Sequence, residues 1–247
     1  MKLTVLGSAS GQADAKRNFS AYLVESSAGF YLLDAGEGTA RQLVRIGLNP
    51  EKIDAVFVSH MHPDHASGVF GLLQWMHLCG RKKSLPLHLP PGVIPQFDRI
   101  FPVFLIEHGK WAFEFGCVAL PVKRPFHRGR FALRAVPNAH AGPGLSYADQ
   151  VKQGRDSYSF ILEDSGRTMV YTSDVPNLRH LDPWAGGADV LVSECTHVPQ
   201  EDIFAFASEH GIARTVLSHI PFPDNPPSQP LSGPPFMWAS DGDALEV

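Results

Sequence analysis

Four side chains able to hold a metal ion fall within six consecutive positions of this 247-residue chain, in the run His60-Met-His62-Pro-Asp64-His65. Imidazole nitrogens and carboxylate oxygens are the donors that zinc and similar divalent ions take. The run directly follows Asp54-Ala-Val-Phe-Val-Ser59, a continuous apolar stretch that reads as a strand buried on both faces. Side chains two apart on an extended backbone share a face, so His60 and His62 point the same way. Asp64 and His65 follow where Pro63 suits the first turn of a helix. Ligands packed this tightly fit two neighbouring ions, one on His60 and His62 and the other on Asp64 and His65. Zinc is the expected metal, and manganese or iron would accept the same donors.

Two ions need more ligands than this run carries, and rigid strand ends are where the others belong. His140 follows the strand Phe131 to Val136, Asp174 follows Thr168 to Thr172, and His219 follows Thr215 to Ser218. Water on a divalent ion loses its proton near neutral pH, so a hydroxide shared by two ions would be a nucleophile for ester bonds.

The elements that must position these residues are legible in outline. Leu3 to Leu6 reads as a strand ending in the loop Gly7 to Gly11, and Phe19 to Glu25 pairs with Phe30 to Asp34 as a hairpin. Glu37 to Ile46 carries a helical pattern stopped by Gly47, and a second helix is expected from about Asp64 to Cys79. From Leu85 to Val136 the pattern loosens into Pro-rich loops and short strands. Tyr158 to Glu163 and Thr168 to Thr172 read as another hairpin, Val190 to Ser193 as a strand, Gln200 to Glu209 as a helix and Thr215 to Ser218 as a last strand. Strands and helices occur in both halves without a linker. The expectation is one domain over residues 1–220, of two packed sheets with helices outside, and a Pro-rich C-terminal tail over 221–247.

Composition narrows the function classes. With 21 Lys+Arg against 25 Asp+Glu the net charge is -4, which argues against a surface given over wholly to nucleic acid. The densest basic cluster, Lys123, Arg124, Arg128, Arg130 and Arg134, reads as a solvated hairpin. Lys2 to Gly7 is too short for the apolar core of a signal peptide, and no stretch approaches the roughly 20 apolar residues of a membrane span. Three cysteines without a CxxC spacing read as reduced thiols, so a cytoplasmic protein without membrane partners is expected.

The metal-capable residues, in this order, resemble the metallo-β-lactamase superfamily over almost the whole chain up to about Ile220. The resemblance implies an α/β fold, the αββα sandwich, in which two mixed β-sheets flanked by helices carry the metals along one edge. It implies that His60, His62 and His140 hold one ion, that Asp64, His65 and His219 hold the other, and that Asp174 bridges them. Within the superfamily the chain is most similar to ribonuclease Z and its small phosphodiesterase relatives. Asp34-Ala-Gly-Glu-Gly-Thr39 resembles the Asp-Cys-Gly-Glu-Gly-Thr segment of that branch, and Lys16-Arg-Asn18 resembles its Pro-x-Lys-x-Arg-Asn loop without the proline. Glu194, in Ser193-Glu-Cys-Thr-His197, matches the Glu of its His-Glu-Ala-Thr motif, with Ser193 in place of His. That branch places a catalytic histidine near the start of the helix before the last strand, a role that falls to His197.

What the resemblance implies is a dinuclear metal-dependent hydrolase, a phosphodiesterase similar to ribonuclease Z. Asp64 would orient the nucleophile as well as bind metal, His197 would protonate the leaving alkoxide, and Glu194 would hold the His197 ring. Asp34 and Glu37 would accept hydrogen bonds from ligating histidines. Lys16 and Arg17 are candidates to contact a substrate phosphate. The long basic arm that grips transfer RNA is not recognisable, and the only candidate insertion, Ala141 to Arg155, is short and Gly-rich. A small-molecule or nucleotide phosphodiester is therefore the expected substrate, with RNA and homodimerisation left open. Thioesterase or lactonase chemistry on the same two ions is the alternative, because hydroxide attack on a carbonyl uses similar groups. A non-catalytic metal-binding protein is the third reading, and the intact ligands argue against it.

Overall fold

The inner strands of this chain, such as Ile53–Phe57 and Val190–Glu194, are buried on both faces because each sheet is covered on both faces there. In the computed structural model, which describes residues 1–97, 99–221 and 235–247, the strands form two sheets packed face to face. They are β1 (Lys2–Gly7), β2 (Ala21–Ser26), β3 (Gly29–Leu33), β4 (Ile53–Phe57), β5 (Leu85–Leu89), β6 (Phe115–Ala119), β7 (Phe126–Arg128), β8 (Phe131–Asn138), β9 (Ser157–Asp164), β10 (Arg167–Tyr171), β11 (Val190–Glu194), β12 (Thr215–Ser218), β13 (Phe236–Trp238) and β14 (Ala244–Glu246). The first sheet runs β14-β1-β2-β3-β4-β5-β6 and the second β13-β12-β11-β10-β9-β8-β7. Both mix parallel and antiparallel pairs.

Between the sheets lie Tyr22, Tyr31, Phe57, Phe131, Phe160 and Tyr171, with Tyr31 stacked on Phe131 at a centroid distance of 4.3 Å. The alternate residues of β2 to β4, such as Leu23, Leu32 and Val56, face outward against helices α1 (Thr39–Arg45), α2 (Pro63–Ala66) and α3 (Val69–Leu78). Three further helices are short: α4 (Ile94–Phe97), α5 (Tyr147–Gln153) and α6 (Asp182–Ala185). With α7 (Gln200–Glu209), α6 covers the outer face of the second sheet through Ala185, Ile203 and Phe206. Four layers result, the expected αββα sandwich.

Pair directions decide where the site lies. Strands β3 to β6 are mutually parallel, as are β10 to β13, and β8 runs with β10 because both are antiparallel to β9. Their C-terminal ends share one edge, where ligands gather in open sheets of this kind. The Tyr158 amide donates to Ser59 O across the sandwich at 3.1 Å, tying the sheets together there.

Two expectations change. The helix from Asp64 to Cys79 is broken into α2 and α3, because the chain crosses the Asp34–Thr39 segment at backbone contact. A Cβ on Gly68 would sit 2.1 Å from Gly36 O, and one on Gly36 would sit 2.3 Å from Asp64 O. The second change is at the C-terminus. Of the expected tail over 221–247, residues 222–234 lie outside the described residues, but 235–247 are not a tail. β13 extends the second sheet parallel to β12, and β14 extends the first antiparallel to β1. Strands of three residues on a sheet edge leave no alternation to read. No helix of the described residues is long and apolar enough to cross a membrane.

Candidate metal centre

The edge of the sandwich brings all seven expected ligands together in two groups that share Asp174: His60, His62 and His140 on one side, Asp64, His65 and His219 on the other. In each group the candidate donor atoms lie within 4.8 Å of one another. In the first, His60 Nε2 and His140 Nε2 lie 3.0 and 3.1 Å from His62 Nδ1. Nitrogens about 2.0–2.1 Å from a tetrahedral ion would be roughly 3.3 Å apart, so this spacing matches ligands converging on a centre. In the second, Asp64 Oδ2 lies 3.6 Å from His65 Nε2 and 3.3 Å from His219 Nε2.

Asp174 faces both groups. Its Oδ2 is 3.5 Å from His140 Nε2 and 3.8 Å from His60 Nε2, while Oδ1 is 3.1 Å from His65 Nε2 and 2.6 Å from His219 Nδ1. One carboxylate oxygen is thus presented to each side.

Buried partners set the tautomers. His65 Nδ1 lies 2.8 Å from Asp34 Oδ2, which leaves Nε2 turned into the site. That Nε2 is buried and faces the carboxylates of Asp174 and Asp64 at 3.1 and 3.6 Å, as a metal ligand's would. Asp34 also accepts from the Ser59 amide at 2.6 Å, the Ser59 hydroxyl at 2.9 Å and the Tyr171 hydroxyl at 2.6 Å. Such outer partners fix ring orientation and ligand basicity. His60 Nδ1 rests 3.1 Å from Ser59 Oγ, which itself accepts from Ser173 Oγ at 2.7 Å.

The backbone is held in an unusual state here. Of the five non-glycine residues with positive φ among the described residues, Asp34 (59°), Ser173 (51°) and His219 (52°) belong to this constellation. Such conformations persist where surrounding structure enforces them, and they cluster at functional sites.

Burial pushes His60 and His140 down, the latter to about 4, so both rings are neutral and ready to ligate. Burial also pushes His65 down, but the carboxylates of Asp174 and Asp34 override it and hold the ring well above its ordinary value. Burial would raise Asp174, yet His65 and His219 hold it well below the usual carboxylate range.

Glu194 and His197 meet at the rim. Glu194 Oε2 accepts from the Thr196 and His197 amides at 2.6 and 2.8 Å and lies 3.4 Å from His197 Nδ1. This contact raises the imidazole above its ordinary pKa, against burial. The His197 ring centroid is 4.7 Å from that of His140 and 5.9 Å from that of His219. His197 lies three residues before α7 begins.

Three expectations fare differently. Asp34 reaches the candidate ligand His65, whereas the exposed Glu37 has no such bond among the described residues. Arg17 is committed to structure, donating to Ser8 Oγ at 2.8 Å and Ala239 O at 2.6 Å. Ser59, Ser173 and Tyr171 were not singled out from sequence. Two of them directly precede ligands, which was the available signal.

A profile of the beta-lactamase superfamily domain matches residues 30–220. The chain belongs to this superfamily. A ribonuclease Z from Picosynechococcus sp. is 32% identical over 85% of this chain and 78% of its own length. Among solved structures, the metallo-beta-lactamase fold protein YhfI from Bacillus subtilis superposes with a TM-score of 0.79 at 23% identity, covering 100% of this chain and 98% of its own. The short form of human tRNase Z superposes with a TM-score of 0.78 at 21% identity, covering 100% and 99%. The expected fold therefore holds. So does the expectation of a metal-dependent hydrolase with a two-metal site, resembling ribonuclease Z.

Proposed function

We propose that this protein is a dinuclear phosphodiesterase acting on a small-molecule or nucleotide phosphodiester, with zinc as its preferred metal. The observation that carries this reading is the Glu194–His197 pair beside the two ligand groups that Asp174 joins. Cleaving a phosphodiester at neutral pH produces an alkoxide that needs a proton, and a positioned imidazole is the usual donor.

His60, His62 and His140 would hold one ion, Asp64, His65 and His219 the other, with Asp174 between them. When bound, the ions would supply water that deprotonates near neutral pH and would neutralise charge on the phosphoryl oxygens. Asp64 would orient the attacking water. His197 Nδ1 faces Glu194, leaving Nε2 to deliver its proton to the leaving alkoxide. A P–O bond forms to the water oxygen, the P–O bond to the alkoxide breaks, and solvent reprotonates His197. The ribonuclease Z relatives support a nucleic-acid-like substrate. The Ala141 to Arg155 segment, in which α5 is a seven-residue helix, favours a small one.

The test is hydrolysis of bis(p-nitrophenyl) phosphate by protein loaded with zinc or with manganese, with Asp64→Ala as control. Turnover that disappears in the variant is expected. Absence of turnover with metal demonstrably bound would overturn the reading in favour of carbonyl substrates, beginning with thioesters and lactones.

A further inference from the structure

A cavity of about 270 Å³ opens beside the metal centre, on its His140 side. Pro137, Ala139 and Pro176 line it with apolar surface, the ring of Tyr147 joins them, and Asn138, Gln150, Asn177 and His180 supply polar side chains. Ala139 directly precedes the ligand His140, and Pro176 follows the shared ligand Asp174 by two positions. Tyr147, 42% exposed, opens α5 inside the Ala141–Arg155 insertion. That turn is fixed by its cap, since Ser146 Oγ accepts from the Asp149 amide at 3.2 Å.

The hydroxyl of Tyr147 has a definite polarity. Tyr158 is fully buried, burial keeps its phenol protonated, and it donates to Asp156 Oδ2 at 2.8 Å. A phenol has one proton, so the 3.0 Å contact between the two tyrosine oxygens uses the proton of Tyr147. Tyr147 therefore has acceptor capacity to offer a ligand in the cavity and no proton to give. Asp156 anchors the relay from within, 2% exposed.

An aromatic ring, proline rings and the acceptor oxygens of Tyr147 and Gln150 make a site for a flat ring with an N–H on its edge. We propose that this cavity is a subsite for a planar heterocycle carrying a ring N–H or amino donor, attached through the non-leaving side of the phosphodiester, and that Tyr147 determines its specificity. The ring lies against Tyr147 and the prolines, and its N–H donates to Tyr147 Oη. The inference rests on the phosphodiesterase reading of the neighbouring centre.

The test compares two esters with one leaving group, thymidine 5′-(p-nitrophenyl phosphate) and methyl p-nitrophenyl phosphate, on the metal-loaded full chain. The readout is the ratio of their kcat/KM values. Stacking on an aromatic side chain is worth about 5- to 160-fold per base, so the ratio is expected to fall about tenfold or more in Tyr147→Ala. Tyr147→Phe keeps the ring, and its ratio should fall mainly through KM. The N3-methyl thymidine ester, which has no N–H, should lose the same factor on the wild-type protein and nothing further on Tyr147→Phe. A wild-type ratio in Tyr147→Ala, or an N3-methyl ester as good as its parent, would overturn the subsite. If wild-type protein with bound metal cleaves neither ester, the phosphodiesterase reading fails, and calorimetric titration of thymidine decides the subsite alone. Binding that Tyr147→Ala weakens supports it, whereas no binding, or equal binding, overturns it.

Discussion

The two halves of the metal centre use the same residue types but are built differently. Asp64, His65 and His219 are all buried, and with Asp174 they place two carboxylates around one position. The ring of His65 is backed by Asp34, itself held by Ser59 and Tyr171. Of the other three, His60 is buried, His140 is partly exposed and His62 is exposed, with only the shared Asp174 to bring negative charge. His62 Nδ1 meets two ring nitrogens, those of His60 and His140. One half is thus dry, charged and braced, and the other open, neutral and accessible. A rigid, neutralised position binds an ion tightly, while an open one leaves room for substrate and solvent. On the proposed function, substrate would approach from the open half, where the His197 ring lies 4.7 Å from that of His140.

The change expected to do most damage removes the one residue both halves share. Asp174→Ala should lose both ions through gel filtration and reduce turnover to background, measured by elemental analysis and diester hydrolysis. Retention of one tightly held ion would mean that the buried half is self-sufficient, sharpening the contrast. Next in size is His197→Ala, which removes the proposed acid from the open half. It should lower kcat by about 10²–10⁴-fold with metal content intact. Glu194 holds the His197 pKa above its ordinary value, so the protonated form persists further into the alkaline range. The alkaline limb of the kcat profile, where this proton is lost, should therefore move to lower pH in Glu194→Gln. An unmoved limb would remove His197 from the reaction.

How much of this contrast is legible in sequence follows from what each residue type can do. Histidines and aspartates at strand ends are conspicuous, since few other roles call for His60-Met-His62-Pro-Asp64-His65. Serine and tyrosine serve so many purposes that Ser59, Ser173 and Tyr171 acquire meaning only once the ends of β3 and β4 face that of β10 across the sandwich. Helix α7 was read at its full extent because its pattern is local. The break between α2 and α3 depends on Gly36 and Gly68 meeting, a tertiary event that local pattern does not carry. β13 and β14 are defined by their neighbours and not by their own periodicity. His180 lines the cavity beside His140, which depends on the path of the chain after Asp174.

The brace behind His65 yields the two smaller effects. Asp34→Asn keeps the shape but gives His65 a weaker acceptor, so the ring orientation is less firmly held. Loss of such a partner usually costs about 10- to 100-fold in metal affinity, and here the loss should fall on the buried half, as competition with a chromophoric chelator would show. An equal loss in both halves would mean that the two are one cooperative unit.

Tyr171→Phe is gentler, because it removes one of the four donors on Asp34 and leaves the ring packed at 4.9 Å from Tyr22 and 6.1 Å from Phe160. A hydrogen bond to a buried carboxylate contributes about 1.5–3 kcal/mol, so denaturant unfolding of the metal-free protein should report a loss of that order. Metal affinity should change less than in Asp34→Asn, because the Ser59 amide and hydroxyl still fix the carboxylate. That split between stability and affinity separates bracing from ligand tuning. If Tyr171→Phe instead weakened metal as much as Asp34→Asn, the hydroxyl would itself set the angle at which Asp34 meets His65. The dry half would then extend through Tyr171 into the core between the sheets.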